Sequence, residues 1–377
     1  MNMSHCRTAI WASLAAFCLA AGAASAEEVV IGVQLPLTGP VATWAGVPPR
    51  GSIELAIEEV NKSGELGPHK IRMILQDMAS DKNQAITLTN QFIKRDNVSL
   101  IIGPSTTPFA AAAAPIANEE KTPMIALAGS DSVTKTGPYI FKMITSAGPD
   151  MADLSDFAIN KIKPKNYLAI YNRDNDAYVD YVRLMRGHME KAGIKNLAEE
   201  STLASETDFT ALASKIVQIN PDAIFIAMVA EQAANIIIQA RQAGLSDKVK
   251  LFGLGGGIYP QYARIGGKAV EGTYYISHHH VGTPGQLNKT FVDSYRAKFN
   301  RDPDEFTAFA YGAVKVAAKA IVEAGGGNRE KIRNALANIK DVPTVLGTGK
   351  FTFDEGRAPL YGSVMLQIKN GVPVLAD

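Results

Sequence analysis

Beyond its first 26 residues the chain has no cysteine: the only two in 377 residues are Cys6 and Cys18. Disulfides, a catalytic thiol and cysteine-ligated metals are therefore excluded from residue 27 onward. Net charge is also lacking. There are 38 Lys and Arg against 37 Asp and Glu, and Arg7 is the one charge in residues 1–26, so the remainder is balanced at 37 of each sign. The two signs are interspersed, which leaves no basic stripe for nucleic acid and no basic patch for an anionic membrane surface. Past residue 26 no apolar run is long enough to span a bilayer. Catalytic signatures are missing too. Gly129-Ser130 does not stand in a G-x-S-x-G frame. Gly255-Gly256-Gly257 has neither the Gly-Lys-Ser/Thr of a phosphate loop nor the G-x-G-x-x-G of a dinucleotide turn. No cofactor, no metal and no nucleophile–base pair is expected.

What is present begins with an export signal. Arg7 precedes an apolar, alanine-rich stretch from Ala9 to Ala24, and Ala24-Ser25-Ala26 is an A-x-A cleavage site. A chain exported to the periplasm would keep residues 27–377. A bulky Phe17 before Cys18 argues against lipid attachment there. The mature length suggests two domains.

The stretch from Val98 to Ser130 organises the rest. Val98–Ile102 is a short β-branched run and reads as a buried strand. Gly103-Pro104 ends it, and Ser105, Thr106 and Thr107 stand at the mouth of an alanine-rich helix. Met124–Leu127 is a second buried strand, closed by Ala128-Gly129-Ser130. Parallel strands joined by a helix end on the same sheet edge. That edge therefore carries two small polar turns, one opening a helix whose first N–H groups lack partners, which is a cradle for a carboxylate.

The same alternation surrounds it. Val29–Leu35 and Lys70–Gln76 read as strands. Thr43 reads as an N-cap with Trp44 just inside a helix that runs to about Asn61. A new strand–helix series restarts near Tyr167, with Ala223–Met228 and Val249–Gly253 among its strands. The fold class expected is α/β, two doubly wound Rossmann-like lobes joined by a three-strand hinge. Extended joins near Thr145, His280 and Gly349 divide the chain into a first lobe (27–145 plus 281–349) and a second (146–280 plus 350–377). Asn370-Gly371 reads as the turn of a closing hairpin. Such a hinge allows closure over a ligand.

The run IGVQLPLTGPVATWAG, the IIGP-STT and MIALAGS turns, DFTALASKI, PDAIFIAMVAEQAANIIIQARQAGL and the terminal VLGTGKFTFDEGR together resemble the branched-chain amino-acid-binding proteins. These are type I periplasmic substrate-binding proteins of ABC importers, and the resemblance spans essentially the whole mature chain. It implies a non-enzymatic, monomeric protein that closes on a small ligand and docks on a permease in the inner membrane. It also implies that the ligand's carboxylate is held by Thr107, Ala128 and Ser130, with Ser105, Thr106 and Gly129 beside them. Trp44 would form an aromatic wall. From the second lobe the matching aromatic is Tyr178, across a loop from Asn172 to Ala177 that is one residue longer here.

Two departures bear on the ligand. Amino-acid binders of this family place an acid after the strand equivalent to Val249–Gly253, to accept the ammonium; this chain has Gly255-Gly256-Gly257. They also tend to carry a tyrosine where this chain has Met228-Val229-Ala230. An uncompensated buried ammonium is costly. The expected ligand is thus a small carboxylate without an α-amine, an aromatic acid, with Met228 and Gly255 opening space for it. Glu231 could instead accept an amine, which keeps an amino-acid or amide ligand as the alternative. A sensor module, read by a partner protein, is the competing function of another class. His278-His279-His280 reads as a hinge or cleft-rim feature rather than a metal site, since only alternate residues of a strand share a face.

Overall fold

The protein is described here by a computed structural model covering residues 27–254 and 261–376. The first sheet has the order β2-β1-β3-β4-β5, with β1 (Glu27–Leu35), β2 (His69–Asp77), β3 (Leu100–Ser105), β4 (Met124–Leu127) and β5 (Ile140–Lys142). Every pairing in it is parallel. Along β4 the residues alternate between two apolar cores. Ile125 and Leu127 enter the large one, while Met124, Ala126 and then Ala128 enter a smaller one beneath the helix Thr107–Glu119. This is why the strand is apolar throughout: both of its faces are covered.

The second sheet contains β6 (Asn166–Asn172), β7 (Lys195–Thr202), β8 (Ala223–Ala227), β9 (Lys250–Leu254) and β10 (Tyr274–Ser277). Three short antiparallel strands, β11 (Val342–Pro343), β12 (Lys350–Phe353) and β13 (Pro359–Leu360), form a separate ribbon. The hairpin β14 (Val364–Lys369) and β15 (Val372–Leu375) closes the second sheet, giving the order β15-β14-β10-β9-β8-β6-β7. Asn370 and Gly371, at φ 54° and 75°, turn that hairpin.

Each lobe has its own core, and the chain crosses between them three times. Met143 packs in the first core and Met151 in the second; Ile276 in the second and Val281 against the first; Tyr361 in the first and Leu366 in the second. The last crossing comes later than the break expected at Gly349. Phe351 and Phe353 pack in the first core, the latter 5.0 Å from the ring of Phe141. An amphipathic strand does not reveal which of two cores it joins.

The first helix also differs from expectation. It is split into Ala42–Ala45 and Val47–Ser63, and Thr43 lies inside the short piece rather than capping it. Gly46 makes the break. A Cβ there would stand 1.8 Å from the Pro36 carbonyl oxygen, so the loop after β1 closes against bare backbone. Among the described residues no helix is long and apolar enough to cross a membrane.

Candidate ligand site between the lobes

The loops at the C-terminal ends of β3, β4 and β6 meet around a cavity with about 620 Å³ of empty space, partly open to solvent. The first lobe contributes Trp44, Thr106, Thr107 and Gly129 to its wall. The second contributes Asp150, Asn175, Ala177, Tyr178, Tyr181 and Ile276. Ile144 and His278 come from crossings, and Glu305, Phe306 and Phe309 from the first turns of the helix Glu305–Ala324.

The cradle expected at the two turns has a defined geometry. Thr106 takes φ 70°, a left-handed conformation unusual for a β-branched residue, and no side chain caps the helix that follows. Thr107 Oγ1 accepts the N–H of Ser130 at 3.3 Å, which leaves the hydrogen of its own hydroxyl for another acceptor. The carbonyl of that same Gly129–Ser130 peptide accepts a hydrogen bond from Lys142 Nζ at 2.7 Å. Lys142 is fully buried and paired with Asp131 at 2.6 Å. Burial pushes its ammonium below the usual lysine range, and Asp131 works against that; Asp131, raised by its own partial burial, is nevertheless carried below its ordinary value by Lys142. A cation on the carbonyl polarises the peptide and strengthens the Ser130 N–H as a donor to Thr107. Gly129 gives Tyr181 room: a Cβ there would stand 3.0 Å from Tyr181 Oη, which would have to shift.

The opposing residues come from the start of the helix Asp176–Lys191. Asn175 caps it by accepting the Ala177 N–H at 3.1 Å, which leaves its own Nδ2 without a partner among the described residues. The hydroxyls of Tyr178 and Tyr181 are likewise without protein partners among the described residues, and burial raises both phenols, so they stay neutral donors. Trp44 meets Phe306 edge-on, at 4.9 Å and 84°, forming a flat apolar corner.

Of a third group of residues the sequence pointed only to His278, as a hinge or cleft-rim feature. His278 lies between two buried carboxylates, with Nε2 3.0 Å from Asp150 Oδ1 and Nδ1 2.9 Å from Glu305 Oε1. Thr145 Oγ1 donates to Asp150 and Ser277 Oγ donates to Glu305 Oε1. Burial alone would discharge the imidazole, but Asp150 and Glu305 overcome it and hold its pKa at about 10. His278 is thus an imidazolium at neutral pH, and the trio carries one net negative charge. Its members come from different segments: Thr145 and Asp150 from the first crossing, Ser277 and His278 from the second, and Glu305 from a first-lobe helix. The ring of Tyr361, at the third crossing, lies 5.3 Å from that of His278. The neighbouring histidines go elsewhere, His279 Nε2 to Asn288 Oδ1 at 2.9 Å and His280 Nε2 to the Pro373 carbonyl at 3.4 Å. β10 ends at Ser277, so strand alternation does not govern them.

Of the residues singled out in the sequence, Trp44, Thr106, Thr107, Gly129 and Tyr178 meet in this one cavity. Ser105, Ala128, Ser130 and Met228 are buried behind its wall. Ala128 continues the β4 alternation into the smaller core, and Met228 packs in the second core. Ser130 Oγ accepts the Ser132 N–H and so caps a short helix, reaching the cradle through its backbone alone. Ser105 Oγ has no partner among the described residues. Gly255, Gly256 and Gly257 lie outside the described residues. Glu231 lines a separate depression that shares Trp44 with the cavity, together with Glu206, Gln232 and Arg264. The sequence reading looked for an ammonium partner after β9 and at Glu231; Asp150 and Glu305 reach the cavity from other segments.

Comparison with known proteins agrees with this geometry. Residues 28–372 match the family described as periplasmic binding protein. The chain is 28% identical to the leucine-, isoleucine-, valine-, threonine- and alanine-binding protein of Pseudomonas aeruginosa, covering 92% of this chain and 91% of that one. It superposes on a leucine-binding protein of Thermotoga maritima with a TM-score of 0.85 at 28% identity, over 93% of this chain and 98% of the other. A branched-chain amino acid transporter substrate-binding protein of Streptococcus pneumoniae, solved with isoleucine, gives the same TM-score at 26% identity, over 93% and 99%. The family model spans nearly all of the described chain and the solved relatives share its fold end to end, and this chain belongs to the periplasmic binding protein family.

Proposed function

We propose that the chain is the periplasmic solute-binding component of an ABC importer, a monomer that closes on a small carboxylate lacking an α-amine, an aromatic acid, and delivers it to the permease of the inner membrane. One observation carries the reading. An uncapped helix start, with the Thr107 hydroxyl hydrogen still to donate, shares its cavity with the rings of Trp44, Tyr178, Tyr181, Phe306 and Phe309. The first feature suits a carboxylate and the second a flat apolar body. A family of binding proteins, the absence of a nucleophile–base pair in the sequence and a cavity between two lobes all favour capture over chemistry.

A second reading rests on a separate observation. Asp150 and Glu305 line the cavity and offer a counter-charge to an ammonium, and the Pseudomonas aeruginosa relative is named for amino acids. Calorimetric titration with benzoate, 4-hydroxybenzoate, 3-phenylpropanoate, leucine and isoleucine separates the two. The aromatic acids are expected to bind more tightly than either amino acid. Tight leucine binding with no heat from any acid overturns the first reading in favour of the second. Loss of uptake of the bound acid on deletion of the chain distinguishes an importer subunit from a sensor.

A further inference from the structure

The cavity read as taking a ligand carboxylate is itself lined by two buried carboxylates and one imidazolium. Asp150, His278 and Glu305 all line it, and their sum is one negative charge before any ligand enters. The groups around the trio do not offset this. Lys142 is within reach of Thr145, its Nζ 3.3 Å from that carbonyl, but it is paired with Asp131. The Tyr181 and Tyr361 phenols are neutral, as is His279, whose burial holds it near a pKa of about 4. Asp304, next to Glu305, is itself raised by burial to about 6. A second negative charge in this setting raises the proton affinity of the carboxylates already there.

The atom able to receive that proton can be named. Both oxygens of Asp150 accept from Thr145, and Oδ1 also faces His278. Glu305 Oε1 takes the His278 N–H, His278 Nδ1 and Ser277 Oγ. Among the described residues Glu305 Oε2 has no partner. His278 already carries its proton on each nitrogen.

We propose that entry of an anionic ligand is coupled to uptake of one proton from solvent by the Asp150–His278–Glu305 cluster, with Glu305 Oε2 as the receiving atom. The proton keeps the cavity's net charge at its ligand-free value. Glu305 thereby becomes a specificity-determining residue, because a zwitterion adds no net charge and calls for no proton. The inference rests on the reading of the ligand as a carboxylate without an amine.

Calorimetry in phosphate, HEPES and Tris at pH 7 tests it, using whichever of benzoate, 4-hydroxybenzoate and 3-phenylpropanoate binds most tightly. The apparent enthalpy should vary with the buffer's ionisation enthalpy, with a slope approaching one proton taken up per ligand. Kd should weaken as pH rises, by at most about tenfold per unit. Glu305→Gln keeps the shape and removes the charge, and it should bind the acid with no uptake and a flat pH profile; Asp150→Asn should lower the uptake likewise. Should neither variant fold, the wild-type buffer series decides alone. A buffer-independent enthalpy for a bound acid overturns the proposal while leaving the ligand reading intact. Binding of leucine with no acid binding at any pH overturns both.

Discussion

The two lobes meet the ligand cavity with different materials. The first lobe brings backbone and small hydroxyls: the uncapped helix start at Thr107, and the Gly129–Ser130 peptide polarised by buried Lys142. The second brings side chains: the Asn175 amide and the rings of Tyr178 and Tyr181. Backbone donors at a sheet edge are held by the strands on either side and recognise one group, a carboxylate, whatever it is attached to. Side chains on a helix start can be exchanged without disturbing the sheet, so they are where the body of the ligand is read. Between the lobes lies a third material, the ionic cluster centred on His278, which draws on both walls and touches all three crossings.

The comparison can be broken most forcefully at the hinge. His278→Ala leaves two buried carboxylates without their cation and should cost about 3–5 kcal/mol of stability, read from the urea midpoint. A loss below about 1 kcal/mol would mean that the lobes do not depend on the cluster. Next is the contrast between adjacent histidines. His279 titrates near 4 in the folded chain, because burial disfavours its charge, against about 6.5 unfolded. The unfolded state then binds more protons, so this residue's contribution is present above pH 6.5 and fades as pH falls toward 4, by on the order of 3 kcal/mol at most. His278, held at about 10, contributes with the opposite sense: fully below pH 6.5, and lost as pH rises through 10. Urea midpoints at pH 7 and 4.5 should converge in His279→Gln relative to the wild type. The smallest effects sharpen the division of labour. Thr107→Val removes one buried donor and should raise Kd about tenfold for every carboxylate in a panel. Tyr178→Phe should change affinities only a few-fold and reorder the panel instead. If both variants weaken all ligands alike, the lobes do not divide recognition in this way.

Much of the fold could be read from periodicity. Short apolar runs closed by Gly, Pro and Ser marked the parallel strands, and i, i+3, i+4 stripes such as Ile53, Ala56, Ile57 and Val60 marked helices. Where the reading slipped, local pattern was ambiguous. Phe351 and Phe353 alternate as any half-buried strand does, yet they pack in the first core. The break at Gly46 depends on a carbonyl ten residues earlier in the chain. In the cavity, Trp44, Thr107, Gly129 and Tyr178 were visible because turns and helix starts carry their own signals. Asp150 and Glu305 were not. An acid in the first turn of a helix looks like ordinary compensation of the helix dipole, and only the fold shows that both are buried.

Local order along the chain was sufficient for the alternation of strand and helix, the two lobes and the polar turns of the cradle. Each of these depends on residues close in sequence, where steric and hydrogen-bonding preferences act directly. The charge of the cavity was decided by tertiary structure alone. Asp150, His278 and Glu305 are 128 and 27 residues apart, and their interaction exists only once two crossings and the helix Glu305–Ala324 are packed together. Burial then does what no local pattern can: it strips the water from all three groups, and the two carboxylates hold the imidazole of His278 charged against that burial.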